Sequence, residues 1–335
     1  MRVVSGIQPT GDLHLGNLLG AILRWVRMQE EVEGSDSLLF FLADLHALTI
    51  AVDPVGLRSN VREMAAALIA SGIDPSKSVL FAQSAVRAHS ELAWLLQCTA
   101  RVGWLSRMTQ FKEKSGKNRE GASVGLYTYP VLQAADILLY QATHVPVGED
   151  QKQHIELTRD IAFKFNTDFD VDLFVPPEPF IGGGSAARVM SLRDGTAKMS
   201  KSDPSDMSRI NLTDSDAAIA QKIRKAKTDP DPLPDNSIAL AGRPEAKNLL
   251  GIYAEVTGES VDQVLGRLAG EGFGQLKPAL ADALIALIAP IRERLVELRR
   301  DPAELDRILA DGAERASDLG APVLAKAKSA VGLTA

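Results

Sequence analysis

The stretch RVVSGIQPTGDLHLGNLLGAILRWVRMQEE, residues 2–31, decides how this chain folds. Its opening RVVSGI reads as a strand, whereas Leu15, Leu18, Leu19, Ile22 and Val26 recur at helical spacing. Between them PTGDLHLGN hands the chain from strand to helix. At such a junction, backbone N–H groups and the positive end of the helix dipole point at a bound anion. His14 and Asn17 lie one turn apart near the helix start, where both can donate hydrogen bonds to phosphate oxygens. Gly16 and Gly20, at i and i+4, remove side chains from one face, so that a flat base can lie against the backbone. A plainer reading stays open: His14 and Asn17 cap the helix, and the glycines let it pack.

Downstream, the same alternation continues. SLLFFLA (37–43) is a continuous apolar run, as expected of a strand covered on both faces. Asp53 and Pro54 supply an N-cap and a first-turn proline for VGLRSNVREMAAALIAS (55–71), and Gly72 stops it. SVLFAQS (78–84) is a strand, ELAWLLQCTARVGWLSRM (91–108) and YPVLQAADILLY (129–140) are helices, and HVPVG (144–148) is a short strand before the helix EDQKQHIELTRDIAFKF (149–165). This order implies an α/β fold: an open, doubly wound parallel sheet with helices on both faces. After Ser202 the reading finds only Ala/Leu-rich amphipathic segments, with TDPDPLPDNS (228–237) as a loop among them. The expected division is a catalytic domain over 1–203 and an all-α domain over 204–335, with Gly182–Arg188 as a flexible hinge.

Length and composition fit a globular enzyme. The chain has 335 residues, 45% hydrophobic and 24% charged, enough for two domains with substantial cores. The net charge of −6 gives no global pull toward nucleic acid, so any RNA contact must rest on local basic patches. No apolar run approaches the roughly 20 residues needed to span a bilayer, and MRVVSGIQPTG lacks a secretory apolar core; both point to a cytoplasmic location. The single Cys98 excludes an intramolecular disulfide and a cysteine zinc cluster, and is expected to be a small buried hydrophobe.

The second decisive stretch is KMSKSD, residues 198–203. The two commonest phosphate cradles, G-x-x-x-x-G-K-[ST] and a G-x-G-x-x-G after a strand, are absent. Lys198 and Lys201 instead offer two mobile ammonium groups that can follow charge onto a leaving pyrophosphate, which a rigid guanidinium fork does less readily.

With HLGN at 14–17 and KMSKS at 198–202, the chain resembles the class I aminoacyl-tRNA synthetases. GIQPTG (6–11), DLHALT (44–49), MTQFKEKSGK (108–117), YPVLQAADILLY, VPVGEDQKQHIELTRDIAFKFN (145–166) and VMSL (189–192) narrow the resemblance to the bacterial tryptophanyl-tRNA synthetase family. It is dense from residue 3 to residue 203 and weaker beyond, as in NLLGIYAEVTGES (248–260).

The resemblance implies ATP-dependent attachment of L-tryptophan to tRNA(Trp), through an adenylate, by a homodimer. Mg2+ is carried with ATP, with no protein-bound metal and no membrane contact. For ATP it implies Gln8, Pro9, Thr10, Gly16, Asn17, Gly148, Glu149, Asp150, Val189, Lys198, Met199, Ser200, Lys201 and Ser202. His14, Asn17, Lys198 and Lys201 take the catalytic positions, with Lys114 as a further pyrophosphate contact. For tryptophan it implies Asp136, Tyr129, Gln133, His46, Gln151 and Val4.

Tyr129, Gln133 and Asp136 fall at i, i+4 and i+7 on one helical face in an otherwise apolar segment, where a buried carboxylate needs a donor. An indole N–H is a donor only, and in the family this aspartate reads it; a protein donor is the alternative. Departures from the family pattern fall at Val4, Gln133, Gly195 and Ala197, the last two being expected to loosen the KMSKS loop. For tRNA, the local cations Lys222, Arg224, Lys225, Lys227, Arg299 and Arg300 are candidates, and each can equally be a solvated face. A tyrosyl-tRNA synthetase or a small-molecule nucleotidyltransferase is a rival, disfavoured by GEDQKQH and the helical tail. A regulatory paralogue is disfavoured by the intact KMSKS.

Overall fold

Strands β1 (Val3–Ile7), β2 (Leu38–Leu42), β3 (Val79–Ala82), β4 (His144–Pro146) and β5 (Glu178–Phe180) form one sheet in the order β3-β2-β1-β4-β5, with every pairing parallel. The computed structural model describes all residues except 10, 12, 51, 110, 112–120, 147, 149, 150, 181–187 and 335. Side chains alternate across the sheet. Val3, Leu38, Phe40, Leu42 and Leu80 enter one core, and Val4, Leu39, Phe41, Val79 and Phe81 the other, which is why these strands read as unbroken apolar runs. β5 was not legible in the sequence: it is three residues long and contains Pro179, which an edge strand tolerates because one side of its backbone needs no partner.

The chain order reverses between β1 and β4, and crevices in open α/β sheets lie at such a point, beyond the carboxyl ends of the strands. Among the described residues those two strands pair only at Val3 and His144, so their carboxyl ends are not laced together. From the end of β1 the chain enters a helix over 15–31, here α1. It begins as an α-helix at Leu15–Asn17, widens into a π-helical segment at Leu18–Ile22, and continues as α-helix over Leu23–Glu31. Such local widening is often found at functional sites.

Helices α2 (Asp44–Ala47), α3 (Pro54–Ala70), α4 (Ala88–Thr99), α5 (Val102–Leu105), α6 (Val124–Leu138) and α7 (Lys152–Asp168) complete the alternating part. Asp53 caps α3 as expected, accepting from the Val55 and Gly56 amides. The segment 91–108 is not one helix. Ala100 and Arg101 adopt extended backbone and separate α4 from α5. Cys98 is exposed, not buried: the inward side of α4 is carried by Leu92, Leu95, Leu96 and Thr99, which leaves Trp94 and Cys98, one turn apart, facing outward.

Beyond residue 203 no strand occurs among the described residues, in keeping with an all-α reading. The helices of this part are α8 (Asp216–Arg224), α9 (Pro244–Thr257), α10 (Val261–Leu268), α11 (Phe273–Leu298) and α12 (Pro302–Ala330). Ile210, Ile219, Leu249 and Leu284 share one continuous core with Val3, Phe40 and α1. α12 returns to pack on β3 and α4, its Ala313, Ala316 and Val323 joining the core of the opposite sheet face. Arg62 of α3 donates two hydrogen bonds to Asp306 of α12, at 2.7 and 2.6 Å.

Candidate active site

His14 is the N-cap of α1. Its Nδ1 accepts from the Gly16 amide at 3.1 Å, and the Asn17 Oδ1 accepts from the His14 amide at 3.2 Å. The capping role is therefore real, and it orients the ring instead of excluding a catalytic role. With Nδ1 committed as an acceptor, the neutral imidazole carries its proton on Nε2 and can serve only as a donor there. Burial, then the positive charges of Lys201, Arg209 and Lys198, holds the His14 pKa down at about 4, so the ring is neutral at pH 7.

The KMSKS segment reaches this helix start from the far side of the sequence. Val189–Leu192 and Ala197–Met199 form a tight hairpin: the Ser191 amide donates to the Ala197 carbonyl at 2.8 Å and the Met199 amide to Val189 at 3.1 Å. Two further contacts pin residues 210–212 to the entry of α1, from the Leu15 amide to the Ile210 carbonyl and from the Leu212 amide to that of Leu13, at 2.8 and 3.0 Å. Met199 is buried, and a Cβ on Gly16 would lie 3.7 Å from its Cβ and 3.0 Å from the His14 ring, so the glycine lets both motifs close on each other. Lys201 donates to the Gly11 carbonyl at 2.9 Å, while Lys198 is exposed. Gly20 faces open space, whereas the space at Gly16 is taken up by His14 and Met199, so the two glycines do not leave one bare face.

Gly195 does not loosen the hairpin. A Cβ there would stand 2.5 Å from the Pro244 backbone, so the missing side chain lets the hairpin lie against the start of α9. Asn248, which sequence reasoning missed, reinforces that docking by accepting from the Met190 amide at 2.9 Å and donating to its carbonyl at 3.0 Å. A buried asparagine inside the apolar NLLGIY run was the signal.

Of the ATP set, Gln8 is exposed and Pro9 buried beyond the end of β1, Gly148 is exposed after β4, and Val189, Ser200 and Ser202 belong to the hairpin region. Thr10, Lys114, Glu149 and Asp150 lie outside the described residues, as does 182–187 of the expected hinge.

The helix that carries Tyr129, Gln133 and Asp136 packs on the opposite face of the sheet from α1. Asp136 is 1% exposed, and its Oδ2 accepts from His46 Nε2 at 2.7 Å. The His46 ring stands edge-on to Tyr129, with centroids 6.2 Å apart; the Tyr129 hydroxyl lies 3.0 Å from His154 Nε2, and Gln133 donates to Gln151 Oε1 at 3.4 Å. Val4 is buried in the core of the same sheet face. Asp136 does have protein donors, so that alternative holds, but it does not exhaust the carboxylate. Gln83 Nε2 and His89 Nδ1 both reach Oδ1, at 2.7 Å each, leaving only His46 on Oδ2. A carboxylate offers about four acceptor positions, so one remains. Burial pushes this carboxyl up, but the hydrogen bonds from His46 and His89 outweigh it and hold the pKa at about 2. Gln83 and His89 were not legible beforehand; the polar residue at the carboxyl end of a buried strand was the only hint of Gln83.

Of the candidate tRNA cations, Lys222 is withdrawn. It is 3% exposed and bridges Asp214 and Asp206 at 2.6 and 2.7 Å, neutralised inside the helical part. Lys227 pairs with Glu245 and Arg299 with Glu63, at 2.7 Å in both cases, whereas Arg224, Lys225 and Arg300 are exposed.

A doubly wound sheet whose first strand-to-helix entry meets a KMSKS hairpin, with a buried, hydrogen-bonded carboxylate packed on the other sheet face, is the architecture of a class I amino-acid-activating enzyme. Residues 1–289 match the family of tRNA synthetases class I (W and Y). The chain is 60% identical to the tryptophan–tRNA ligase of Caulobacter vibrioides, over 99% of this chain and 95% of that one. The tryptophanyl-tRNA synthetase of Mycoplasma pneumoniae superposes with a TM-score of 0.86 at 34% identity, covering 99% of this chain and 98% of that one. That of Campylobacter jejuni, solved with ADP and tryptophan, gives 0.80 at 36%, covering 99% and 100%. This chain belongs to the class I tRNA synthetases of the tryptophan and tyrosine family.

Proposed function

We propose that this chain attaches L-tryptophan to tRNA(Trp) in two steps. The tryptophan carboxylate attacks the α-phosphorus of ATP in line, giving tryptophanyl-adenylate and pyrophosphate; the terminal ribose of the tRNA then takes the acyl group and AMP leaves. The observation that carries this reading is the docking of the KMSKS hairpin on the entry of α1, with Lys201 on the Gly11 carbonyl. Catalysis is positional and electrostatic. Neutral His14 donates through Nε2, and Lys198 and Lys201 meet the charge that develops on the leaving pyrophosphate. Mg2+, carried with the ATP phosphates as part of the substrate, would offset part of that charge. Tryptophan-dependent ATP–pyrophosphate exchange tests the first step. Exchange with tyrosine in place of tryptophan, or none with either, would refute the assignment.

Asp136 supports tryptophan as the amino acid, being a buried anion with an acceptor position left on Oδ2. Arg224, Lys225 and Arg300 are the exposed cations suited to tRNA phosphates. No helix among the described residues is long and apolar enough to cross a membrane, and a cytoplasmic location accords with a tRNA substrate.

The working unit in this reading is a homodimer. Trp94, Val102 and Val124, 65, 71 and 78% exposed on the neighbouring helices α4, α5 and α6, are the apolar residues that a second copy would cover together with Cys98. Trp94→Asp should convert the dimer to monomers in sedimentation experiments; an unchanged mass would move the interface elsewhere.

A further inference from the structure

Behind the specificity carboxylate lies a buried chain of polar groups that the proposed mechanism does not use. Tyr140, His89 and Asp136 are at most 1% exposed, yet they are linked in series: His89 Nδ1 lies 2.7 Å from Asp136 Oδ1, and His89 Nε2 lies 2.8 Å from the Tyr140 hydroxyl. A carboxylate only accepts, so Nδ1 must carry the proton. In neutral imidazole Nε2 then accepts, and the Tyr140 hydroxyl is its donor. Burial, then the Asp136 charge, raises the Tyr140 pKa, so the phenol keeps that proton. The ring is also caged, with centroids of Phe41 and Phe81 at 5.9 Å and of Tyr140 at 5.4 Å.

Gln83 supplies the second donor to Oδ1. Its own Oε1 is buried with no hydrogen-bond partner among the described residues. Turning the amide over would pair nothing better and would set a carbonyl against the carboxylate. The arrangement therefore leaves one buried acceptor unsatisfied in order to keep donors converging on Asp136, where most proteins would satisfy both.

We infer that Tyr140, His89 and Gln83 are positioning residues for amino-acid selection: they saturate Oδ1 and lock the Asp136 side chain, so that Oδ2 beside His46 is the only place left for a ligand N–H. This rests on Asp136 as the reader of the indole. Two effects result. The carboxylate cannot rotate away to accept from another donor, and a ligand lacking the N–H leaves that position of a fixed anion unmet.

The test uses the full-length enzyme and the tryptophan analogue whose indole nitrogen is replaced by sulfur, comparing kcat/KM for the two amino acids in pyrophosphate exchange. Losing a partner that orients a metal-binding side chain costs about 10- to 100-fold, and the same order is expected for partners that orient this carboxylate. Tyr140→Phe, which keeps the ring and removes the donor, should therefore lower the preference for tryptophan by about tenfold, and His89→Leu by about a hundredfold. His89→Asn, with an amide nitrogen where Nδ1 stood, should restore most of it, and KM for ATP should hold throughout. A merely structural role would depress both amino acids together and leave the ratio untouched. An unchanged ratio in Tyr140→Phe, the variant least prone to misfold, overturns the inference while leaving Asp136 as reader. If the wild-type enzyme itself does not discriminate against the sulfur analogue, the reading of Asp136 fails, and this inference with it.

Discussion

Lys201→Ala should slow adenylate formation by on the order of a hundredfold or more, the usual cost of removing one preorganised donor from a developing charge. Lys201 holds the Gly11 carbonyl at 2.9 Å, so its ammonium already sits where the strand-to-helix loop begins. In the proposed reaction it meets the more strongly charged oxygens of the departing pyrophosphate, a gain that grows as the transition state forms. Tryptophan binding should change little, because Asp136 sits on a helix packed on the opposite face of the sheet from α1 and Met199. Rapid-quench measurement of the first turnover separates the two effects, and an unchanged adenylation rate would remove Lys201 from the mechanism. The variant carries a second signature. Lys201 is the first of the charges that depress His14, after burial itself, so the His14 pKa should rise from about 4 toward 6.5 without reaching it, visible in its ring proton shifts.

Asp136→Ala should weaken tryptophan binding by one to two orders of magnitude, as loss of a charge-assisted hydrogen bond worth roughly 1.5–3 kcal/mol requires. ATP affinity should hardly change. The structure adds a cost that the sequence did not reveal. His46, Gln83 and His89 all point donors at this carboxylate, and each donor left unpaired in the core costs about 1–3 kcal/mol unless a water replaces the lost oxygens. The variant should therefore also melt several degrees lower, following the usual relation between lost free energy and Tm. Calorimetry alongside ligand titration distinguishes the outcomes. Full melting stability together with full preference for tryptophan over its sulfur analogue would show that Asp136 neither reads the indole nor anchors the core, and would send the search to Gln133 or Tyr129.

Much of this protein is written locally. The strand-to-helix handover of residues 2–31, the apolar run at 37–43 and the Asp53-Pro54 cap depend on nearest-neighbour chemistry, so they could be read directly and define a doubly wound fold. The two signature motifs were equally visible, as residue types at short spacing. What could not be read is which distant segments meet. Cys98 looked buried because its neighbours are apolar, yet the side of α4 that faces the core is chosen by packing. Lys222 looked like a surface cation until Asp214 and Asp206, 8 and 16 residues before it, closed around it. Gly195 looked like slack in a loop until the backbone of Pro244 was found against it.

Local sequence accounts for four of the five strands, for the motifs and for a lone carboxylate at position 136 of an apolar helix, because each rests on periodicity or on residues a few positions apart. The folded chain was needed to show that Asp136 is held by Gln83 and His89, 53 and 47 residues away, and that KMSKS is fastened to the approach to α1 across 190 residues. Hydrogen bonds of that kind carry no periodic signature. They arise when the packing of two cores brings a donor and an acceptor to within about 3 Å of each other.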